Sequence, residues 1–497
     1  MINTEASPSA AGEKLLDRYK GGVQHFIAGK FVGSNTGRQF ETLNPATNQM
    51  LARVSEGGVD EIGEAAHAAR RAFEKWSRVP VAERSRILRA IGDEILKRKE
   101  ELAVLETLDT GKPIRDTLNV DVPRTAANFH FFADYIKFLS SETYSMDDQA
   151  LNYTLYHPAG VAGIITPWNY PLLLSTWKIA PCLAFGNACI HKPAELSPLS
   201  AALVAEIIQQ SELPAGTFNV VQGFGPNSAG QAISQNPNID LISFTGEDST
   251  GKAIMADAAP HLKKLSFEMG GKAPNVIFAD ADLDAALEGS LQAAYRHSGQ
   301  VCLAGSRLFV ERPIYQDFLR RFVESSMKIQ PGDPMDPITT FGVLISKDHL
   351  DKVSGYVERA RTDGATICCG GKRPPNLTEG NFYLPTVITD IDSKHAVCQE
   401  EIFGPVVTLL PFDTDEEVVA YANGTQYGLS GSIWTQNLSR AHKVAAAIRV
   451  GTMWVNCWQL RDYRVPLGGV KKSGIGREGG RHSMEFFTEV KNICIKL

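Results

Sequence analysis

From about residue 160 to residue 270 the chain alternates two hydrophobic textures. Short continuous apolar runs, GVAGIITPW (160–168), ACIHKP (188–193), FNVVQG (218–223) and IDLISFTG (239–246), have the character of strands buried on both faces. Between them SPLSAALVAEIIQQ (197–210) and a segment running through Ile233 carry helical spacing. Strand and helix alternating in this way predict a parallel, doubly wound α/β sheet. A second alternating set starts at APNVIFADAD (273–282) and continues through SRLFVERPIYQDFLRRFVESS (306–326) to about residue 465. The pattern places a domain boundary near Gly270 and Gly271. Upstream, HFIAGKFVGSN (25–35) predicts two strands with a turn at Gly29 and Lys30, and 59–76 a helix with Asp60 as N-cap. Two more amphipathic helices follow across 81–108, ending at the breaker TGKP (110–113). FFTEVKNICIKL (486–497) reads as an apolar terminal strand, a hazard unless paired, and pairing with another subunit is the expectation.

Composition narrows the classes. A chain of 497 residues exceeds one ordinary core, so two or three domains are expected. Its 43% hydrophobic and 21% charged content is that of a soluble globular protein, and a net charge of −6 argues against nucleic acid or anionic membrane as the main partner. No segment approaches the ~20 apolar residues of a membrane span. The first 22 residues are polar and small, without the apolar run of a signal peptide, and read as a frayed leader. Eight cysteines, at 182, 189, 302, 368, 369, 398, 457 and 494, show neither metal-ligand spacing nor the density of a disulfide scaffold. They read as reduced thiols in a cytoplasmic protein, with no metal.

The candidate chemistry centres on FEMGGKAPN (267–275) and GQVCLAGSR (299–307). Glycine-flanked Cys302 is open to a flat electrophile, and Glu268 is a carboxylate able to take a proton from water; nucleophile plus base is the equipment of acyl transfer. Four peptides end the strands of the first sheet: ITPWNYP (165–171), HKPAE (191–195), GFGPNSAG (223–230) and FTGEDSTG (244–251). Ligands of open α/β sheets bind at such ends, where glycines and helix N-termini accommodate phosphate. G-x-G-x-x-G is absent, and Gly246 and Gly251 frame only G-x-x-x-x-G.

Taken together, ITPWNYP, KPAE, FTG-x-x-x-x-G, FEMGGK, GQ-x-C, EEIFGP (400–405) and SG-x-GRE (473–478) resemble the NAD(P)-dependent aldehyde dehydrogenase superfamily, in order and from about Phe26 to the C-terminus. The resemblance implies a Rossmann-like NAD-binding domain (1–144 and 160–270), an α/β catalytic domain (271–465), small oligomerisation strands (145–159 and 480–497) and a homo-oligomer. It makes Cys302 the nucleophile, Asn169 an oxyanion donor, Glu268 the base for thioester hydrolysis, and Lys178 and Glu478 a proton relay. Lys192 and Glu195 would hold the adenosine ribose, Glu195 favouring NAD over NADP. Ile165, Thr166, Pro167, Trp168, Gly225, Phe244, Gly246 and Gly270 would form the cofactor groove, with Glu401 and Phe403 at the nicotinamide ribose. Glu247 departs from the serine common at its position, where an acid weakens phosphate contact unless it points outward.

WQLRDYRVPLGG (458–469) and DVPR (121–124) resemble the 2-hydroxymuconate and 2-aminomuconate 6-semialdehyde dehydrogenases. That branch implies a carboxylated aldehyde substrate clamped by Arg124 and Arg464, with Arg461 structural and paired to Asp462. The alternative is a general or betaine-type aldehyde dehydrogenase, with both arginines structural.

Overall fold

The continuous apolar runs become the centre of an eight-stranded sheet whose central strands are buried along their whole length. In this computed structural model, which describes residue 12 and residues 14–497, the parallel core runs Lys264–Met269, Leu241–Gly246, Val161–Ile165, Ala188–Lys192, Phe218–Val220. Of the leader, residues 1–11 and 13 lie outside the described residues, while Tyr19 packs into the first core. Val161–Ile165 has its sequence successor on one side and Leu241–Gly246 on the other. The winding reverses there, and the carboxyl ends of these two strands open a crevice suited to a ligand. The hairpin His25–Ile27 and Lys30–Val32 extends one edge, and Gly474–Ile475 pairs antiparallel at the other.

Two local expectations shift. The hairpin turns at Ala28 and Gly29, both at positive φ, because Lys30 already pairs with Ile27. The helix Val59–Trp76 starts after Gly58; Glu61 reaches back to accept the Gly58 N–H at 2.8 Å, and Asp60 sits inside the first turn. Val81–Lys97 and Lys99–Thr110 form as expected, the second stopped by Gly111 at φ 69°.

The second sheet has seven strands, ordered Thr366–Cys369, Thr386–Thr389, Val406–Phe412, Arg307–Glu311, Pro274–Ile277, Ser430–Trp434, Thr452–Val455, parallel except for the first pair. One sheet ends at Met269 and the other begins at Pro274, so the chain passes between them at Gly270 and Gly271.

A third, antiparallel sheet joins Thr143–Met146, Ala150–Pro158 and Thr488–Lys496, and it redraws the expected segment limits. Residues 143 and 144 belong to it rather than to the first domain. Gly480–Phe487, expected as part of the terminal strand segment, is a helix whose Met484 and Phe487, three apart on one face, enter the first domain's core. The terminal strand pairs over its full length with Ala150–Pro158 of its own chain. Its outer edge has no partner strand among the described residues, and Val490 and Ile495 on it are exposed.

Candidate active site

A cleft of about 550 Å³ lies between the two large sheets. Pro167, Trp168 and Asn169 reach it directly after strand Val161–Ile165, Glu195 after Ala188–Lys192, and Gly246 at the end of Leu241–Gly246. Glu268 and Gly270 come from the strand Lys264–Met269 and its exit; Cys302, Glu401 and Phe403 close the cleft from the second domain. Five more residues expected at the groove adjoin those that line it. Ile165 and Phe244 are core, Phe244 packing beneath Gly246. Thr166 shares a hydrogen bond with His191 at 2.8 Å, and Lys192 is held by Glu195 at 3.0 Å. Gly225 sits in the turn beside Phe224, whose ring lines the cleft instead. Glu247 points outward, two-thirds exposed at the rim, with Lys352 Nζ 3.7 Å away.

Cys302 sits in a loop held by backbone strain and one buried amide. His297, Ser298 and Gly299 all have positive φ, and Gly299 lies so close to the Gly404 carbonyl that no side chain fits there. Gln300, fully buried, donates to the His297 and Val343 carbonyls, each at 3.2 Å, and accepts the Ile345 N–H at 2.9 Å. Its own carbonyl accepts from Asn169 Nδ2 at 2.9 Å. Asn169 thus spends one amide hydrogen on the cysteine loop and keeps the other. Burial pushes the Cys302 thiol up to about 12, and Arg461 is the cation opposing that rise.

Glu268 is buried, with Oε1 unpartnered among the described residues. Desolvation, reinforced by the charge of Glu478, holds its carboxyl well above the ordinary range. A side chain at Gly468 would stand 2.7 Å from that oxygen. Lys178, on the helix Pro171–Ala184, forms a buried ion pair with Glu478, which places both behind Glu268. Glu401 accepts the Gly271 N–H at 2.9 Å, and its burial pushes it up to about 7. Phe403 is a non-glycine residue at φ 60°, kept there by His349 Nε2 donating to its carbonyl at 2.7 Å and by Trp168 edge-on at 5.3 Å. His349 and Lys352 of the cleft, and Gln300 behind it, went unassigned from sequence; GQ-x-C was the only signal for any of them.

The arginines exchange places. Arg464, expected in the pocket, has a side chain 76% exposed and is bound to Asp462 by a fork, at 2.6 and 2.9 Å. Arg461, expected to pair with Asp462, turns inward and lines a second cavity with Arg124, Trp177 and Tyr463. Its Nε has no partner among the described residues, and desolvation and then Arg124 push it down to about 10. The tight turn at 462–464 explains the swap: the Arg464 N–H and guanidinium both reach the Asp462 carboxylate two residues back, which directs Arg464 to solvent.

Thiol, carboxylate, amide donor and a strand-end cleft together can add sulfur to a carbonyl, stabilise the resulting oxyanion and hydrolyse a thioester. Residues 31–493 match the model of the aldehyde dehydrogenase family. The 2-hydroxymuconic semialdehyde dehydrogenase of Pseudomonas sp. strain CF600 is 48% identical, over 96% of this chain and 99% of its own. The human 2-aminomuconic semialdehyde dehydrogenase is 44% identical, over 95% and 98%. Among solved structures, HpcC of Thermus thermophilus superposes with a TM-score of 0.96 at 43% identity, covering 100% of this chain and 98% of its own. The NAD+ complex of an aldehyde dehydrogenase from Bacillus cereus gives 0.95 at 41%, covering 99% of each.

Proposed function

The chain belongs to the aldehyde dehydrogenase family, and from that premise we propose that it oxidises a 2-substituted muconate 6-semialdehyde to the dicarboxylate with NAD, in the breakdown of aromatic compounds. The observation that carries the substrate class is the pair Arg124 and Arg461, two cations lining one cavity, with Arg461 close enough to Cys302 for its charge to act on the thiol. The carboxylate at its rim, Asp462, is already held by Arg464. Guanidiniums around a cavity with no ion pair among the described residues call for an anionic tail. The aromatic wall of Trp177 and Tyr463, backed by Phe131 stacked on Tyr463 at 5.3 Å, suits a flat conjugated chain.

The cleft fits NAD. Thr245 Oγ1 is buried, faces no partner and lines the cleft, and Gly270 is packed so closely on the Glu401 carboxylate that a side chain there would overlap it. Glu195, already anchored by Lys192, would take the ribose hydroxyls and repel a 2′-phosphate; Glu401 would take the second ribose. When bound, the nicotinamide ring supplies the hydride acceptor. Cys302 gives up its thiol proton to solvent, its Sγ adds to the aldehyde carbon, and the oxygen that gains charge is held by the free Asn169 amide hydrogen and the Cys302 N–H. Loss of hydride leaves a thioester on Cys302. Glu268 takes a proton from water, hydroxide adds to the acyl carbon, and the thiolate leaves with release of the acid. Lys178 and Glu478 pass the proton onward.

The free edge of Thr488–Lys496, with Tyr144, Met146 and Leu151 exposed on the same sheet, supports self-association there. Eight free thiols agree with a reducing, cytoplasmic setting. The deciding experiment is NADH formation by purified enzyme on 2-hydroxymuconate 6-semialdehyde and on an uncharged alkyl aldehyde of similar length. A large preference for the former is expected; equal rates would remove the substrate assignment and favour a general aldehyde dehydrogenase.

A further inference from the structure

Glu247 takes no part in the chemistry above, yet it stands at the rim of the cleft and lines it. Along the carboxyl ends of the first sheet, the strand order sets Glu195, Trp168, Glu247 and Glu268 in a row. A dinucleotide laid from the ribose site at Glu195 towards Glu268 and the thiol therefore passes Glu247. Lys352 lines the same cleft from the second domain, on the helix Lys347–Thr362. Its Nζ lies 3.7 Å from Glu247 Oε1. Both ends of this pair are held. Glu247 opens the helix Asp248–Ala258, and its other oxygen accepts from Ser249 Oγ at 3.2 Å, which leaves Oε1 for the lysine. One turn before Lys352, His349 is fastened to the cleft wall, donating to the Phe403 carbonyl at 2.7 Å with Trp168 edge-on at 5.5 Å. The ammonium also faces the interior of the cleft: burial raises the Glu401 carboxyl, and the charge of Lys352 opposes that rise.

We propose that Glu247 is a positioning residue for the cofactor: through its ion pair with Lys352 it ties the two walls of the cleft together across the dinucleotide's path and slows cofactor exit. The inference rests on the cleft being the NAD site and deepens that reading. Both side chains reach solvent, so the pair parts to admit the cofactor and closes again behind it. An exposed pair of this kind is weak, so it tunes a rate and leaves the fold alone. The sign of its effect is distinctive. A carboxylate facing the cofactor's phosphates with no lysine beside it repels them and hastens exit, whereas one that holds Lys352 across the cleft delays it. Glu247 therefore acts through Lys352, and its influence on the cofactor vanishes when the lysine is neutralised.

The test is NADH release, followed by stopped-flow fluorescence as excess NAD displaces NADH from wild type, Glu247→Gln, Lys352→Gln and the double variant. Both positions reach the surface, where neutral substitutions of similar size leave the fold unperturbed. Glu247→Gln should speed release by about 2- to 5-fold, the scale of one exposed ion pair. In the Lys352→Gln background the same change should alter release by less than about 1.5-fold, because the partner is gone. Added salt should shrink the difference between wild type and Glu247→Gln, since it screens the pair. A merely structural role for Glu247 depends neither on salt nor on Lys352. Slower release from Glu247→Gln would mean that the carboxylate repels the cofactor's phosphates, and overturns the proposal. Unchanged release, or an effect that persists without Lys352, overturns it as well. A wild type that binds no NADH removes the cofactor reading instead, so the two failures are distinct.

Discussion

Cys302 and Glu268 divide the chemistry between them, and each substitution should leave a different signature. Cys302→Ala should lower turnover by at least ~10³-fold while NADH still binds, checked by fluorescence titration. Glu268→Gln should permit one burst of NADH and then stall, since acylation precedes its role; a missing burst would place Glu268 in the first step. Burial and Glu478 hold the Glu268 carboxyl above its ordinary range, so its base form grows as pH rises beyond that range. Decay of the acyl-enzyme should therefore quicken with pH, and a flat profile counts against Glu268 as base. Arg461→Ala should raise KM for the carboxylated substrate by about 10- to 100-fold, the scale of a charged hydrogen bond, whereas exposed Arg464→Ala should change it less than about twofold. The reverse ranking would restore the assignment made from sequence. Position in WQLRDYR could not separate these two arginines, because a three-residue spacing across a turn points them oppositely only once Asp462 has captured one of them.

At the level of elements, the site depends on a loop and a strand edge. Gln300 ties the Cys302 loop to Asn169, His297, Val343 and Ile345. Gln300→Leu should cut kcat by more than about tenfold with NADH affinity unchanged, since it removes the side-chain bonds to His297, Val343 and Ile345 that seat the nucleophile's loop while sparing the ribose contacts. Its role was hidden in the sequence because a glutamine's partners there are backbone groups, which carry no residue signature. The strands were legible for the opposite reason: ACIHK and LISFTG each carry an apolar run, and they are buried over all or nearly all of their length as doubly covered strands. The C-terminal strand was legible too, since FFTEVKNICIKL is strand from Thr488 to Lys496 and only Phe486 and Phe487 close the helix before it. Truncation after Phe487 should leave Ala150–Pro158 with an open edge, and light scattering should register a smaller or aggregated species.

For the whole molecule, buried histidines set the acid response. Burial lowers His25 to about 4 and His191 to about 3. The unfolded chain takes up these protons below about 6.5 while the folded chain does not, so each removes stability as pH falls through that window. Glu106 and Glu401, pushed up to about 7 by burial, act oppositely: they keep protons that the unfolded chain has released above ~4.5, and so remove stability as pH rises toward 7. Relative to the wild type, His191→Gln should flatten the decline in Tm below about pH 6.5; an unchanged slope would mean that His191 does not report through this linkage.

The sequence alone determined the two wound sheets, the crevice at their strand ends, and the identity of Cys302, Glu268 and Asn169 as candidates, because apolar runs and motif order are local properties of the chain. Only the tertiary structure decided which arginine enters the cavity, which amide steadies the cysteine loop and where the last strand pairs. Those outcomes depend on competition between groups far apart in the chain, as when Asn169 meets Gln300 across 131 positions, and the winner is settled by the space and partners that folding provides.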